Sequence, residues 1–108
     1  MPIIMIENRY PLSKNQEVIA AWLEAMEKYP RPEDLFTPLL ETAVSSRKKG
    51  LRVLSAYQPN PGKFEEALAY FGRFMSTFHH IESYSYEMST WMTIDEAMAS
   101  IGQKAPER

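Results

Sequence analysis

The chain has 108 residues, close to the commonest size of one domain, so two independent cores are not expected. Twelve basic and fourteen acidic residues give a formal net charge of −2, which argues against general binding to nucleic acid or membranes. The absence of cysteine excludes disulfides and thiol nucleophiles. No apolar run approaches the roughly 20 residues of a membrane span, and the N-terminus lacks the basic leader of a signal peptide. We therefore expect one soluble, cytoplasmic domain over residues 1–102 and a frayed tail over 103–108.

The first third of the chain predicts a strand and a helix. The run Ile3–Tyr10 begins with apolar, β-branched residues, as in a buried strand. A Ser-x-x-Gln pattern starting at Ser13 predicts a capping box, and apolar residues recur at helical spacing as far as Met26. Pro30 excludes helical geometry at Tyr29, so this helix is expected to end there.

The middle of the chain predicts a packed loop and a hairpin. Residues 30–40 contain three prolines, which preclude a long helix or a central strand. Residues 41–46 are expected to be extended, and Gly50 can adopt the backbone conformation that closes a hairpin. Residues Leu51–Tyr57 predict the returning strand.

A second helix is predicted to follow Asn60. The asparagine is a preferred N-cap, and Pro61 suits the first helical position. An apolar stripe extends from Phe64 to Phe78, which places His79 and His80 in the last turn.

The last part of the chain predicts a strand and a short helix. Residues 82–92 alternate between aromatic or methionine side chains and polar ones, which is typical of a strand. Thr93 and Glu96 then form a second capping-box pattern. The terminal helix is expected over 94–101, with Gly102 at its end.

This order of elements predicts an α+β fold of the ferredoxin-like βαββαβ type. Four antiparallel strands would lie in the spatial order fourth, first, third, second, with two helices on one face. The first and third strands carry apolar side chains on both faces. The residues concerned are Ile3, Ile4, Met5 and Ile6 in the first strand, and Leu51, Val53, Leu54 and Ala56 in the third.

The face without helices therefore needs a cover. A second copy of the chain is the simplest one, so we expect a homodimer that buries about 1,200 Å² or more in total. The alternative is that the terminal helix over 94–101 folds across this face.

The same order of elements, with central strands apolar on both sides, resembles the dimeric α/β-barrel superfamily. The resemblance covers most of the chain and implies two sheets packed face to face, with a cleft between the sheet and the helices of each subunit. The superfamily includes cofactor-free monooxygenases, haem-degrading enzymes, haem peroxidases and small domains without assigned activity. Fold alone does not choose among them.

One alternative follows from the haem-degrading members, which carry an asparagine late in the first strand and a tryptophan and a histidine on the second helix. Asn8 and His80 are similar to the asparagine and the histidine. Tyr70 occupies the aromatic position, and no sheltering loop follows His80. The alternative is thus a cofactor-free or haem-degrading monooxygenase with Asn8, Tyr70 and His80 as catalytic residues and His79 or His80 as a haem-binding residue. The other interpretation of both histidines is that they interact with the negative end of a helix.

The leading interpretation is a cytoplasmic homodimer of unassigned activity with a cleft for a small ligand and no metal or other cofactor. Glu7, Arg9 and Tyr10 lie where the first strand meets the first helix, and with Trp22 they are the candidate cleft residues. Glu7 and Arg9 share one face of the strand, so a surface ion pair is the other explanation for them. Further aromatic residues predict either a pocket or the core; they are Tyr57, Phe71, Tyr84 and Tyr86.

Overall fold

The structure, a computed structural model, describes residues 2–104 and 106. Of the predicted tail over 103–108, residues 105, 107 and 108 lie outside the described residues. The fold is α+β. Its strands are β1 (Ile3–Tyr10), β2 (Phe36–Arg47), β3 (Gly50–Pro59) and β4 (Ser85–Trp91), and its helices are α1 (Asn15–Lys28), α2 (Phe64–Ser76) and α3 (Ile94–Ser100). None of these helices is long and apolar enough to cross a membrane.

The four strands form one antiparallel sheet in the order β2-β3-β1-β4, so β1 and β3 are central. Read from the β4 edge, the order is fourth, first, third, second. Residues of β1 alternate in burial: Ile4, Ile6, Asn8 and Tyr10 are buried against the layer that contains α1 and α2. The odd-numbered residues of β1 point to the opposite side, which we call the outer face.

An aromatic cluster joins the start of β2 to β3 and α2. The ring centroids of Phe36 and Tyr57 lie 5.1 Å apart, and those of Tyr57 and Phe71 lie 4.6 Å apart. Phe36 and Phe71 close the triangle at 4.9 Å. Contacts of this kind contribute about 0.5–1.5 kcal/mol each beyond the burial of their area, and they fix the entry of the chain into β2.

The second strand begins earlier than predicted. Residues 36–40, expected in a packed loop, belong to β2, although Pro38 lies among them. Because β2 is an edge strand, one proline without an N–H is tolerated there. The pairing with β3 shifts between Pro38 and Leu40 and again between Leu40 and Ala43.

Two of the three predicted helix caps are wrong. Ser13 lies in a short 3-10 turn, and α1 begins at Asn15 without a side-chain cap. Asn60 does not cap α2, which begins at Phe64. Its backbone N–H donates to the carbonyl oxygen of Leu35 at 2.8 Å and its side-chain amide to that of Asp34 at 2.8 Å, so Asn60 anchors the segment before β2.

The third cap is confirmed, and the prediction for the histidines is wrong. Thr93 and Glu96 form the reciprocal hydrogen bonds of a capping box at the start of α3. In contrast, α2 ends at Ser76, so His79 and His80 lie in the turns that follow it and not in its last turn. The helix ends early because its hydrogen bonds tighten to the three-residue spacing, as in the 3.0 Å bond from the N–H of Phe78 to the carbonyl of Met75.

The β2–β3 hairpin depends on Gly50, whose φ is +136°. A Cβ atom at this position would collide with the carbonyl oxygen of Tyr10 and lie 2.8 Å from the Cα of Pro11. We expect Gly50→Ala to lower the free energy of unfolding by about 2–4 kcal/mol, because backbone strain and the collision add. Chemical denaturation measures this loss.

Gly62→Ala is the matched control. Gly62 also has a positive φ, +75°, but a Cβ atom there would meet nothing within 4 Å. Its loss should be limited to backbone strain, about 1–2 kcal/mol. Equal losses in the two variants would contradict the role assigned to the close approach at Gly50.

Candidate functional site

A cleft of about 720 Å³ lies between the sheet and the two longer helices. Its floor is the helix-facing side of β1 and β3, and its walls are contributed by α1 and α2. The size is that of a small-molecule site, and the lining is mostly apolar and aromatic. The cleft is therefore the candidate functional site.

The packing of α1 explains why the cleft is open. The residues that α1 buries are small or medium in size, Val18, Ala21 and Ala25. Its larger side chains Ile19, Trp22 and Met26 line the cleft instead, and Trp22 remains 44% exposed. Part of the apolar stripe predicted for this helix, including the candidate cleft residue Trp22, thus forms one wall of the cleft.

The opposite wall comes from α2 and is aromatic. Tyr70, Phe71 and Phe74 of α2 line the cleft, together with Phe78 from the turn that follows the helix. The hydroxyl of Tyr70 donates to the carbonyl oxygen of Tyr29 at 2.8 Å. Burial raises the pKa of Tyr70, so this hydroxyl stays neutral in spite of the opposing effect of the nearby Arg31 charge.

Two buried polar side chains interrupt the apolar floor. Asn8 on β1 is 9% exposed and Ser55 on β3 is 7% exposed, and both line the cleft. The Oδ1 atom of Asn8 accepts a hydrogen bond from the hydroxyl of Tyr84, whose pKa is raised mainly by burial. Among the described residues, the amide Nδ2 of Asn8 has no hydrogen-bond acceptor. Every fully buried side-chain nitrogen or oxygen of these residues does have a partner. The Nδ2 atom is therefore not fully buried, and it is open to the cleft that Asn8 lines.

The charged residues of the lining are Arg31 and Glu41, which form an ion pair with each other. Glu41 stands in the irregular part of β2, beside Thr42, whose φ is +63°. Such a backbone conformation is uncommon for threonine and re-aims the strand locally. Because the two charges neutralise each other, the cleft favours an uncharged occupant.

The structure separates the four residues predicted for the cleft. Tyr10 and Trp22 line it. Glu7 and Arg9 lie on the outer face, where they form an ion pair with an N–O distance of 2.8 Å. The surface ion pair predicted for Glu7 and Arg9 is thus confirmed. Arg52 on β3 also binds Glu7, so the ion pair extends across two strands.

The alternative catalytic set is not assembled. Asn8 and Tyr70 lie in the cleft, but His80 is exposed in the turn after α2 and does not line it. His79 is exposed as well, and its Nε2 atom lies 2.9 Å from the hydroxyl of Tyr86. Within the described residues no histidine faces the cleft, so the side chains present do not fit axial ligation of a haem there.

Several cleft residues were missed because they come from irregular segments or from a different strand. Arg31 lies in the segment that was predicted as a loop, and Glu41 lies in the segment that was predicted to be extended. Ser55 could have been found, because it shares a strand face with Tyr57 and with Val53, which both line the cleft. Of the further aromatic candidates, Tyr57, Phe71 and Tyr84 line the cleft and Tyr86 does not.

The comparisons with known proteins bear on the fold and not on the site. No protein-family model matches this sequence, and no curated protein matches it. A solved structure to which the chain is similar is "De novo designed protein Foldit4", with a TM-score of 0.51 and 12% sequence identity. The match covers 85% of this chain and 97% of that chain. At this identity it shows a shared α+β architecture.

The ion pairs of Glu7 predict a pH dependence of stability. Hydrogen bonds from Arg9 and then from Arg52 lower the pKa of Glu7 below its ordinary value of 4.5. A carboxyl group with a lowered pKa in the folded state stabilises the fold above its unfolded pKa, and this contribution is lost as pH falls through the folded pKa. Glu7→Gln should therefore lower the urea midpoint at pH 7 and have a much smaller effect near pH 3.

Glu17→Gln serves as the control for this titration. Glu17 pairs with Lys14 at a longer N–O distance of 3.4 Å, and its side chain is 52% exposed. Exposed pairs of this kind contribute little, so its removal should leave the midpoint nearly unchanged at both pH values. A loss in Glu7→Gln that is the same at pH 7 and pH 3 would contradict the prediction.

Proposed function

We propose that this chain is a cytoplasmic ligand-binding protein of the ferredoxin-like class, which takes an uncharged, largely apolar small molecule in its cleft and pairs as a homodimer. The single observation that carries the ligand-binding part is a cleft of about 720 Å³ with an aromatic lining and two buried polar groups on its floor. The ferredoxin-like assignment is supported by the antiparallel sheet in the order β2-β3-β1-β4, which places β1 and β3 in the centre. The absence of cysteine supports the cytoplasmic location.

The lining supports this class of ligand through three features. Aromatic walls favour a flat, apolar body, because rings stack and bury large areas. The open amide Nδ2 of Asn8 and the hydroxyl of Ser55 suit an oxygen acceptor on that body. The mutual ion pair of Arg31 and Glu41 gives no net charge to attract an ionic ligand. The placement of His80 gives no support to the monooxygenase alternative.

The proposed homodimer is supported by the apolar part of the outer face. Ile3 and Met5 are only half-buried there, and Ile3 is paired with Trp91, which is 53% exposed. No residue of the helix α3 is fully buried: Ala97 and Met98 are half-buried, and Ile94 at its start is exposed. A helix that sealed the outer face would bury its own apolar side chains, so the observed exposure favours a second copy as the cover.

A neutral fluorescent naphthalene ketone, prodan, tests the ligand-binding part. We expect saturable binding with a blue-shifted emission, because the probe enters an apolar site. Val44→Trp should weaken this binding at least tenfold, about 1.4 kcal/mol, since Val44 lines the cleft and is exposed enough to accept a larger side chain.

Leu39→Trp is the matched control for the cleft. Leu39 lies on the same strand, is similarly exposed and does not line the cleft, so this variant should bind prodan like the unmodified chain. Equal binding by both tryptophan variants would place the probe elsewhere and overturn the proposal.

Sedimentation equilibrium over a dilution series tests the pairing. We expect twice the chain mass at micromolar concentration for the unmodified protein, and the monomer mass for Trp91→Lys, because the substitution puts a charge into the apolar contact. Leu23→Lys is the control, since Leu23 is an exposed residue of α1, on the other side of the sheet. A monomer at micromolar concentration in the unmodified protein would refute the pairing.

A further inference from the structure

A second concavity, of about 430 Å³, lies at the end of the sheet where β1 stops and β4 begins. We call it the hairpin groove, because the turn between β2 and β3 forms one of its sides. Ile3 and Trp91, which belong to the proposed dimer contact, lie at the opposite end of their strands. The groove is thus separate from that contact.

The hairpin groove is strongly basic. Five of the twelve basic residues of the chain line it, and no acidic residue of the described part does; the five are Arg9, Arg47, Lys48, Lys49 and Arg52. A chain with a net charge of −2 therefore concentrates positive charge at one place. Such a concavity attracts anions, because low-dielectric walls focus the field of the clustered charges.

Two arginines of the groove, Arg9 and Arg52, are held next to each other by a shared carboxylate. Arg9 and Arg52 are directly opposite each other on neighbouring strands, and like charges in that position repel. One carboxylate oxygen, Oε1 of Glu7, binds both guanidinium groups. It engages Nε and one terminal nitrogen of Arg9 but only Nε of Arg52, so further N–H donors of both groups remain for another acceptor.

The other side of the groove supplies hydroxyl groups. Ser83 and Ser85 line it at the start of β4. Ser83 has a φ of +68°, a conformation that is uncommon for serine. Guanidinium groups, ammonium groups and hydroxyls around one concavity are the donors that bind the oxygens of phosphate groups.

We propose that the hairpin groove binds a small phosphorylated compound with at least two negative charges. The volume of about 430 Å³ suits a small molecule and is confined to one end of the sheet. A nucleic-acid polymer needs a longer basic track, and the overall charge of −2 opposes it beyond the groove. Glu7 binds both Arg9 and Arg52 and so holds them side by side at this site.

Inorganic pyrophosphate is the probe, and isothermal titration calorimetry at constant ionic strength measures its binding. We expect one saturable site per chain, with a dissociation constant that increases with salt. Lys48→Gln combined with Lys49→Gln should weaken binding at least tenfold. Both residues are exposed in the turn, so the unfolding midpoint should hardly change.

The matched control removes two positive charges elsewhere, with Arg73→Gln combined with Lys104→Gln. Both residues are exposed and neither lines the groove. This variant should bind pyrophosphate within about twofold of the unmodified chain, as should Val44→Trp, whose substitution fills only the cleft. A variant that loses prodan binding should therefore still bind pyrophosphate. The proposal for the cleft and the proposal for the hairpin groove can then be refuted independently of each other.

Three outcomes would overturn the proposal. The first is the absence of saturable pyrophosphate binding. The second is equal weakening in the two double variants, which would indicate a response to net charge and not to the groove. The third is tighter binding of a short DNA duplex than of pyrophosphate, with loss in the Lys48 and Lys49 double variant, which would assign the groove to a nucleic acid.

Discussion

The strict alternation of side chains along β1 is the constraint on which the rest of the structure depends. In a strand, successive side chains point to opposite faces, so eight residues serve two unrelated surfaces. Ile4 and Ile6 anchor the core and Asn8 brings a polar amide to the floor of the cleft. On the other side, Glu7 binds Arg9 of its own strand and ties the strand to Arg52 of β3. A shift of register by one residue would bury the ion pair and expose the core.

The cleft follows from the choice of small residues on α1. Ala21 and Ala25 are almost completely buried, and their small size leaves the larger Trp22 and Met26 at the open side. The stability lost by leaving apolar area exposed on this helix is offset by the aromatic cluster around Phe36 and by the buried face of α2. The core is therefore closely packed around Phe36 and α2 and open beside α1, which combines a stable fold with a binding site.

Periodicity in the sequence predicted the parts of the fold that follow a regular pattern. The bounds of β1, the hairpin at Gly50 and the capping box at Thr93 agree with the structure, because each is set by local chemistry. The start of β2 was missed because the prolines were taken to exclude a central strand, whereas β2 is an edge strand, where a proline is tolerated. The hairpin groove could not be predicted as a unit, since residues far apart in the sequence, such as Arg9 and Ser83, meet only after folding.

The irregular course of β2 has a consequence for how the molecule avoids aggregation. An edge strand offers free N–H and C=O groups to any other extended chain, and a long regular edge invites polymerisation. In β2 the ring of Pro38 removes a donor, and the two changes of register on either side of Leu40 break the straight row that an incoming strand would need. The left-handed backbone at Thr42 bends the row further. Over the first half of β2, this border of the sheet therefore offers no uninterrupted row of groups to an added strand.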